Sequence, residues 1–109
     1  MHPDFKKKLE SFIAGCRRIR AEHYPDEPET EKLKWITTQG KRYVQIRRPS
    51  PHGDFRCFVE IETGEVLKSD LVKPAITKVK RGNIFDEHNG LQNITPRGVA
   101  HADKIKRTA

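Results

Sequence analysis

The sequence lacks the features that would place the protein in a membrane or in a secreted class. No apolar run approaches the length of a membrane span, and the amino-terminal segment has no apolar core of the kind a signal peptide needs. Only two cysteines occur in 109 residues, Cys16 and Cys57, and their spacing suggests neither a disulfide framework nor a metal site. We therefore expect a cytoplasmic protein whose cysteines are reduced thiols in its core.

The common sequence signatures of catalysis are missing as well. No serine lies in a Gly-x-Ser-x-Gly turn, no glycine-rich phosphate loop precedes a helix, and neither cysteine has a sequence context that would lower its pKa. A chain of 109 residues has room for one modest core, which argues against a buried cofactor cavity. These absences predict a non-enzymatic protein with no cofactor and no metal.

Positive charge, by contrast, is abundant and arranged in blocks. The net charge is +7, from 22 Lys and Arg against 15 Asp and Glu. Residues 1–24 carry +3, residues 32–56 carry +6 and residues 73–82 carry +4, whereas residues 25–31 carry −4. A clustered positive field attracts polyanions, so the pattern favours a nucleic-acid partner. The alternative is a basic protein whose charges serve solubility alone.

Helical spacing of apolar residues predicts a helix over residues 1–24. The residues at that spacing are Phe5, Leu9, Phe12, Ile13, Cys16 and Ile19. Residues 25–32 hold two prolines and four acids with almost nothing apolar. We expect this stretch to be an acidic linker that ends the helix and has no chemistry of its own.

Alternation with period two predicts an antiparallel sheet over residues 33–70. Four strand-like runs are separated by plausible reversals at Gln39-Gly40, at residues 49–53 and at Thr63-Gly64. Short connections favour pairing between consecutive strands. The predicted fold is therefore α+β, with an N-terminal amphipathic helix packed on a four-stranded antiparallel meander in a single domain of residues 1–109.

Residues 71–109 are predicted to form a basic connector and then an anchored irregular segment. Asn89-Gly90 is a strong turn signal. Thr95 followed by Pro96 is expected to cap a short final helix from Arg97 to Arg107. Four apolar side chains should hold the segment against the domain, namely Ile84, Phe85, Leu91 and Ile94.

Cations in three places are the candidate nucleic-acid contacts: the outer faces of the helix, the face of the sheet away from the helix, and the connector. These candidates are Lys6, Lys7, Lys8, Arg17, Arg18, Arg20, Arg42, Arg48, Lys78, Lys80 and Arg81. The same sheet face is expected to display Lys34, Arg56 and Phe58, and cations around an aromatic ring are typical of single-strand platforms. We expect binding to DNA or RNA with little sequence preference.

The C-terminal segment resembles a family of small, uncharacterised proteins of tailed bacteriophages. The resemblance covers about half of the chain, and its most specific part is the block Arg-Gly-Asn-Ile-Phe-Asp-Glu at residues 81–87. An Asn-Gly-Leu step at residues 89–91 and a Pro-x-Gly step at Pro96 and Gly98 follow it. The resemblance implies a phage gene product in the cytoplasm of an infected bacterium, a context in which host takeover is one possible role. It implies no particular activity.

Two rival hypotheses rest on this segment. In the first, the chain is a protein-interaction factor, either an inhibitor of a host protein or a virion component. Its contacts would be Ile84, Phe85, Asp86, Glu87 and Leu91. In the second, the chain is a metal-dependent nuclease that uses His88. The order of His88, Asn89, Asn93 and His101 resembles the His-Asn-His nucleases, but the segment has no convincing hairpin and helix to hold a metal.

Overall fold

A computed structural model describes residues 2–30, 32–68 and 82–99, and within them one helix packs against a mixed sheet. Helix α1 spans Phe5–His23. The strands are β1 Ile36–Gln39, β2 Tyr43–Arg48, β3 Phe55–Glu60, β4 Val66–Leu67, β5 Ile94–Thr95 and β6 Gly98–Val99. The predicted α+β class is confirmed. None of the helical structure in these ranges is long and apolar enough to cross a membrane.

Strands β1 to β4 pair antiparallel in chain order, as the short connections predict. The sheet differs from the predicted four-stranded meander because it has six strands and is mixed. Strand β6 joins β3 in parallel through the pair Arg56 and Gly98, and β5 pairs with β6. Strands β4 and β6 share one edge of β3: β4 lies opposite Phe58 and Val59, and β6 lies opposite Arg56.

The predicted helix from Arg97 to Arg107 is wrong at its start, because Gly98–Val99 is a strand. Thr95 closes a turn instead of capping a helix. Its hydroxyl donates to the Gly98 carbonyl at 2.9 Å and accepts the Arg97 backbone N–H at 3.2 Å. These bonds direct the chain back along β5. Residues 100–107 lie outside the described part of the chain.

Gly98 makes the closest approach between β6 and β3. Its φ is +115°, and a Cβ atom there would lie 2.2 Å from the Arg56 carbonyl oxygen. We expect Gly98→Ala to lower the free energy of unfolding by about 2 kcal/mol or more, because either β6 moves or the backbone is strained. Denaturant unfolding measures the loss. Gly40→Ala is the control, since a Cβ at Gly40 meets nothing nearer than 3.4 Å, and a loss of equal size there would contradict the explanation.

The core lies between α1 and one face of the sheet, called the inner face below. Phe5, Phe12 and Cys16 of α1 pack there in one cluster with Val44 and Cys57 of the sheet. The thiols of Cys16 and Cys57 are hydrogen-bonded neighbours, and burial together with this contact raises the pKa of Cys16 well above its usual value. Both cysteines are buried and free, which confirms their prediction as core thiols.

The C-terminal segment is anchored against the domain as predicted. Ile84 is fully buried in the core cluster, with Phe85 and Leu91 packed at its margin. Leu91 lies against Gly15 of α1, where a Cβ atom would come within 2.3 Å of it. The Asn89 amide donates to the Ile84 carbonyl at 2.7 Å, which closes the turn between them. This segment therefore completes the core.

Candidate nucleic-acid interface

Most of the predicted cations of α1 lie on the solvent-exposed side of the helix. Five of them are exposed, namely Lys6, Lys7, Lys8, Arg17 and Arg18. The two arginines have acidic neighbours: Arg17 Nη2 lies 3.4 Å from a carboxylate oxygen of Glu29, and Arg18 Nε lies 4.0 Å from one of Glu22. Because α1 covers the inner face, these cations cannot share a flat surface with the other face of the sheet.

Two of the predicted nucleic-acid contacts, Arg20 and Arg48, are wrong as surface cations. Each residue is only 2% exposed. The Arg20 guanidinium donates two hydrogen bonds to the Glu27 carboxylate, at 2.9 and 2.6 Å, and two more to backbone carbonyls, of Gly53 at 2.9 Å and Pro96 at 2.8 Å. Arg48 shares the residue parity of Val44 and Ile46 on β2, so its side chain leaves from the inner face. Neither guanidinium can meet a phosphate without unfolding its surroundings.

Glu27 is the centre of this buried polar cluster. Its carboxylate lies 3.4 Å from Arg48 Nη2 and accepts the Ser50 hydroxyl, in addition to the paired bonds from Arg20. The hydrogen bonds from Arg20 are the main cause that lowers its pKa from 4.5 to about 2. Within the predicted acidic linker, this acid therefore joins the end of α1 to the end of β2. The predicted contacts Lys78, Lys80 and Arg81 lie outside the described residues.

The face of the sheet opposite α1, called the outer face below, brings two arginines together across β2 and β3. The Gly40 N–H donates to the Tyr43 carbonyl and the Ile61 N–H to that of Arg42, so the residues of β2 bond alternately to β1 and β3. In this alternation Arg47 and Arg56, which lie opposite each other, form a non-hydrogen-bonded pair. Such pairs have Cα atoms only about 4.5 Å apart and the closest side chains in a sheet. The register therefore forces two positive side chains into contact range.

Neither member of this pair has a partner among the residues that the structure describes. Arg47 and Arg56 are half-buried, and the Nε atom of each is shielded from solvent without a hydrogen bond. Like charges directly opposite each other destabilise a sheet, and a buried guanidinium N–H without an acceptor adds a desolvation cost. An anion between the two side chains would relieve both. At this arginine pair, the outer face therefore offers donors and positive charge suited to binding an anion.

Apolar and aromatic side chains share the outer face with the arginine pair. Ile36 of β1 lies opposite Arg47. It is 37% exposed, and among the described residues it is the only large apolar side chain that is exposed. The expected display of Phe58 on this face is wrong, because this residue is only 6% exposed. Tyr43 stacks on it with ring centroids 6.2 Å apart. The predicted contact Arg42 is also here: its Nε lies 3.3 Å from a Glu60 oxygen, and its guanidinium is 5.4 Å from the Tyr43 ring.

The predicted protein-binding residues are mostly occupied within the fold. Ile84 is buried, which rules it out as an exposed anchor. Asp86 shapes its own loop, since its carboxylate accepts the backbone N–H groups of Asn83, His88 and Gly90 at 2.9 to 3.2 Å. Glu87 is exposed and lies 3.4 Å from His88 Nε2. Across the described ranges, no group of three or more His, Cys, Asp or Glu is arranged to hold a metal ion.

The sequence reasoning missed Arg47, although a signal for it was present. Val44 and Ile46 are the apolar residues of β2, so the even-numbered Arg48 belongs to their face and the odd-numbered Arg47 to the opposite one. The pairing of Arg47 with Arg56 depends in addition on the strand register, which a single sequence specifies only through its turns.

Comparison with known proteins adds no relative to this picture. The chain matches no protein-family model, no curated protein and no solved structure. Its function has to be argued from its own side chains.

Proposed function

We propose that this protein is a non-enzymatic nucleic-acid-binding protein that contacts phosphates through the outer face of its sheet. The observation that supports the proposal is the pair Arg47 and Arg56, placed side by side by the register and without an acidic partner among the described residues. A guanidinium presents its N–H donors in a fork that matches the oxygens of a phosphate. Two adjacent forks form a clamp for one phosphodiester.

The exposed lysines of α1 are assigned a role in attracting nucleic acid rather than in contacting it. The lysines of α1 are exposed on the far side of the molecule, where they contribute to a field that steers a polyanion toward the protein. Phosphate contacts carry no sequence information, so little sequence preference is expected. We retain as part of the proposal the context implied by the resemblance, a phage protein in the cytoplasm of an infected bacterium. The nuclease hypothesis stays an untested prediction.

A protein-interaction factor is the second candidate, and strand β1 favours it. All four residues of Ile36–Gln39 are exposed, and β1 is the terminal strand of the sheet order. The hydrogen-bond alternation turns the backbone groups of Thr37 and Gln39 away from β2, where a strand of another protein could pair with them.

Affinity capture from a bacterial lysate with and without nuclease separates the two candidates, because digestion removes only partners that are bridged by nucleic acid.

The primary test is a filter-binding titration of the whole chain with single-stranded and duplex oligonucleotides. We expect binding at low salt, with the logarithm of the association constant falling linearly with the logarithm of the salt concentration. The slope counts the phosphates that are contacted, and for a small surface we expect about two to four. If no oligonucleotide binds even at low salt, the proposed function is wrong.

A further inference from the structure

We infer that the ligand of the outer face is a single strand, held with one phosphate between Arg47 and Arg56 and the adjoining base on Ile36. This inference rests on the proposed function and makes it more specific. It concerns three side chains in one row across the sheet, Ile36 opposite Arg47 and Arg47 opposite Arg56.

Along the row, an apolar side chain is followed by two cations, which matches the order of base and phosphate in a nucleotide. Arg47 and Arg56 supply two cationic forks in contact range, and Ile36 supplies an apolar surface one strand away, about 5 Å along the hydrogen-bonding direction. Ile36 is exposed beside two arginines that have no acidic partner among the described residues. A nucleotide lays a flat apolar base beside its charged phosphate, so it would cover all three side chains at once.

The neighbouring position on β6 ends the row of side chains. Gly98 lies opposite Arg56 in the same row and has no side chain. Beyond it, Thr95 lies opposite Gly98 and keeps its hydroxyl occupied with the Gly98 carbonyl. The row therefore runs from an apolar end at β1, over two cations, to Gly98, which is buried, so the ligand contacts are confined to β1, β2 and β3.

A duplex cannot use this row in the same way. Its bases are stacked and paired in the interior, so a flat protein surface reaches only its phosphates. Contact between Ile36 and a base requires an unstacked base, which single strands provide. The arginine pair should therefore contribute to binding of both forms, and Ile36 to binding of the single strand alone.

The test compares Ile36→Ala with Thr38→Ala on the whole chain. Thr38 is exposed on the same strand and the same face, one row away opposite Gln45. Affinities are measured by fluorescence anisotropy for a single strand and for its duplex. We expect Ile36→Ala to weaken single-strand binding roughly five- to tenfold and duplex binding less than twofold, which matches about 1 kcal/mol for a lost base contact. Thr38→Ala should change neither.

Ile36→Phe provides a second measurement in the opposite direction. A ring gives a base a larger flat surface, so single-strand affinity should rise at least twofold. Circular dichroism and thermal melting show whether each variant is folded. Three outcomes overturn the inference: equal wild-type affinity for single strand and duplex, no selective loss with Ile36→Ala, or equally tight binding of a poly-glutamate peptide. Absence of binding to every oligonucleotide instead overturns the proposed function.

Discussion

Glu27→Gln is expected to lower the free energy of unfolding by about 3 to 5 kcal/mol, the range for breaking a buried ion pair. Arg20 and Arg48 are both buried around this carboxylate, and the amide keeps its size but not its charge. Two guanidiniums would then remain in the interior without a counter-charge. Urea unfolding followed by tryptophan fluorescence measures the loss.

Glu29→Gln is the matched control, since Glu29 pairs with Arg17 at 3.4 Å in an exposed position. Exposed pairs contribute about 0 to 1 kcal/mol, so this variant should stay close to the wild type. Equal losses from the two substitutions would mean that the buried cluster has no special role in stability.

The same carboxylate gives stability a defined dependence on pH. Folding lowers the pKa of Glu27 from 4.5 to about 2, so its contribution is complete above pH 4.5 and disappears as the pH falls through about 2. The difference corresponds to roughly 3 kcal/mol. Glu27→Gln should lack this part of the acid-induced loss, and an unchanged profile between pH 4.5 and 2 would contradict the assignment.

Arg47→Ala and Arg56→Ala should each weaken oligonucleotide binding about tenfold at low salt. The double variant should lose less than the product of the two, because both side chains contact one phosphate. Both variants should be as stable as the wild type or slightly more stable, since removal of one cation relieves the repulsion across β2 and β3. A purely structural role for these arginines predicts the reverse, a loss of stability with unchanged binding.

Arg47→Lys distinguishes a clamp from a general positive charge. Lysine keeps the charge but lacks the planar fork, so we expect it to recover only part of the affinity that Arg47→Ala loses. Full recovery would mean that charge alone matters at this position.

The sequence predicts the parts of the fold that depend on long periodic patterns. The apolar spacing of α1 and the alternation of β2 and β3 are strong, and the short connections at Gly40 and Gly64 lead correctly to antiparallel neighbours. Strands β5 and β6 have two residues each, too few to show any period. The pairing of β6 with β3, which also brings β5 into the sheet, depends on a long-range contact at Gly98 that no local pattern encodes.

The candidate site was predicted only in part, for a similar reason. Composition identified a basic sheet face, and Arg56 does leave from it, whereas Arg42 precedes β2 and its guanidinium is paired with Glu60. Arg20 and Arg48 have the same side chain as the surface arginines, so only the position of Glu27 in the folded chain reveals that they are buried. Charge alone cannot distinguish a cation that holds the fold together from one that is free to bind.

The most direct test of the central claim compares two sets of variants in one titration against a single-stranded oligonucleotide at fixed low salt. One set removes the outer-face pair, with Arg47→Ala and Arg56→Ala combined, and the other removes the helix charges, with Lys6→Ala, Lys7→Ala and Lys8→Ala combined. If the outer face is the binding site, the loss of two charges weakens binding at least tenfold, and the loss of three on the far side weakens it less than threefold. A larger loss from the lysine set would contradict the account and assign the binding to the helix or to net charge.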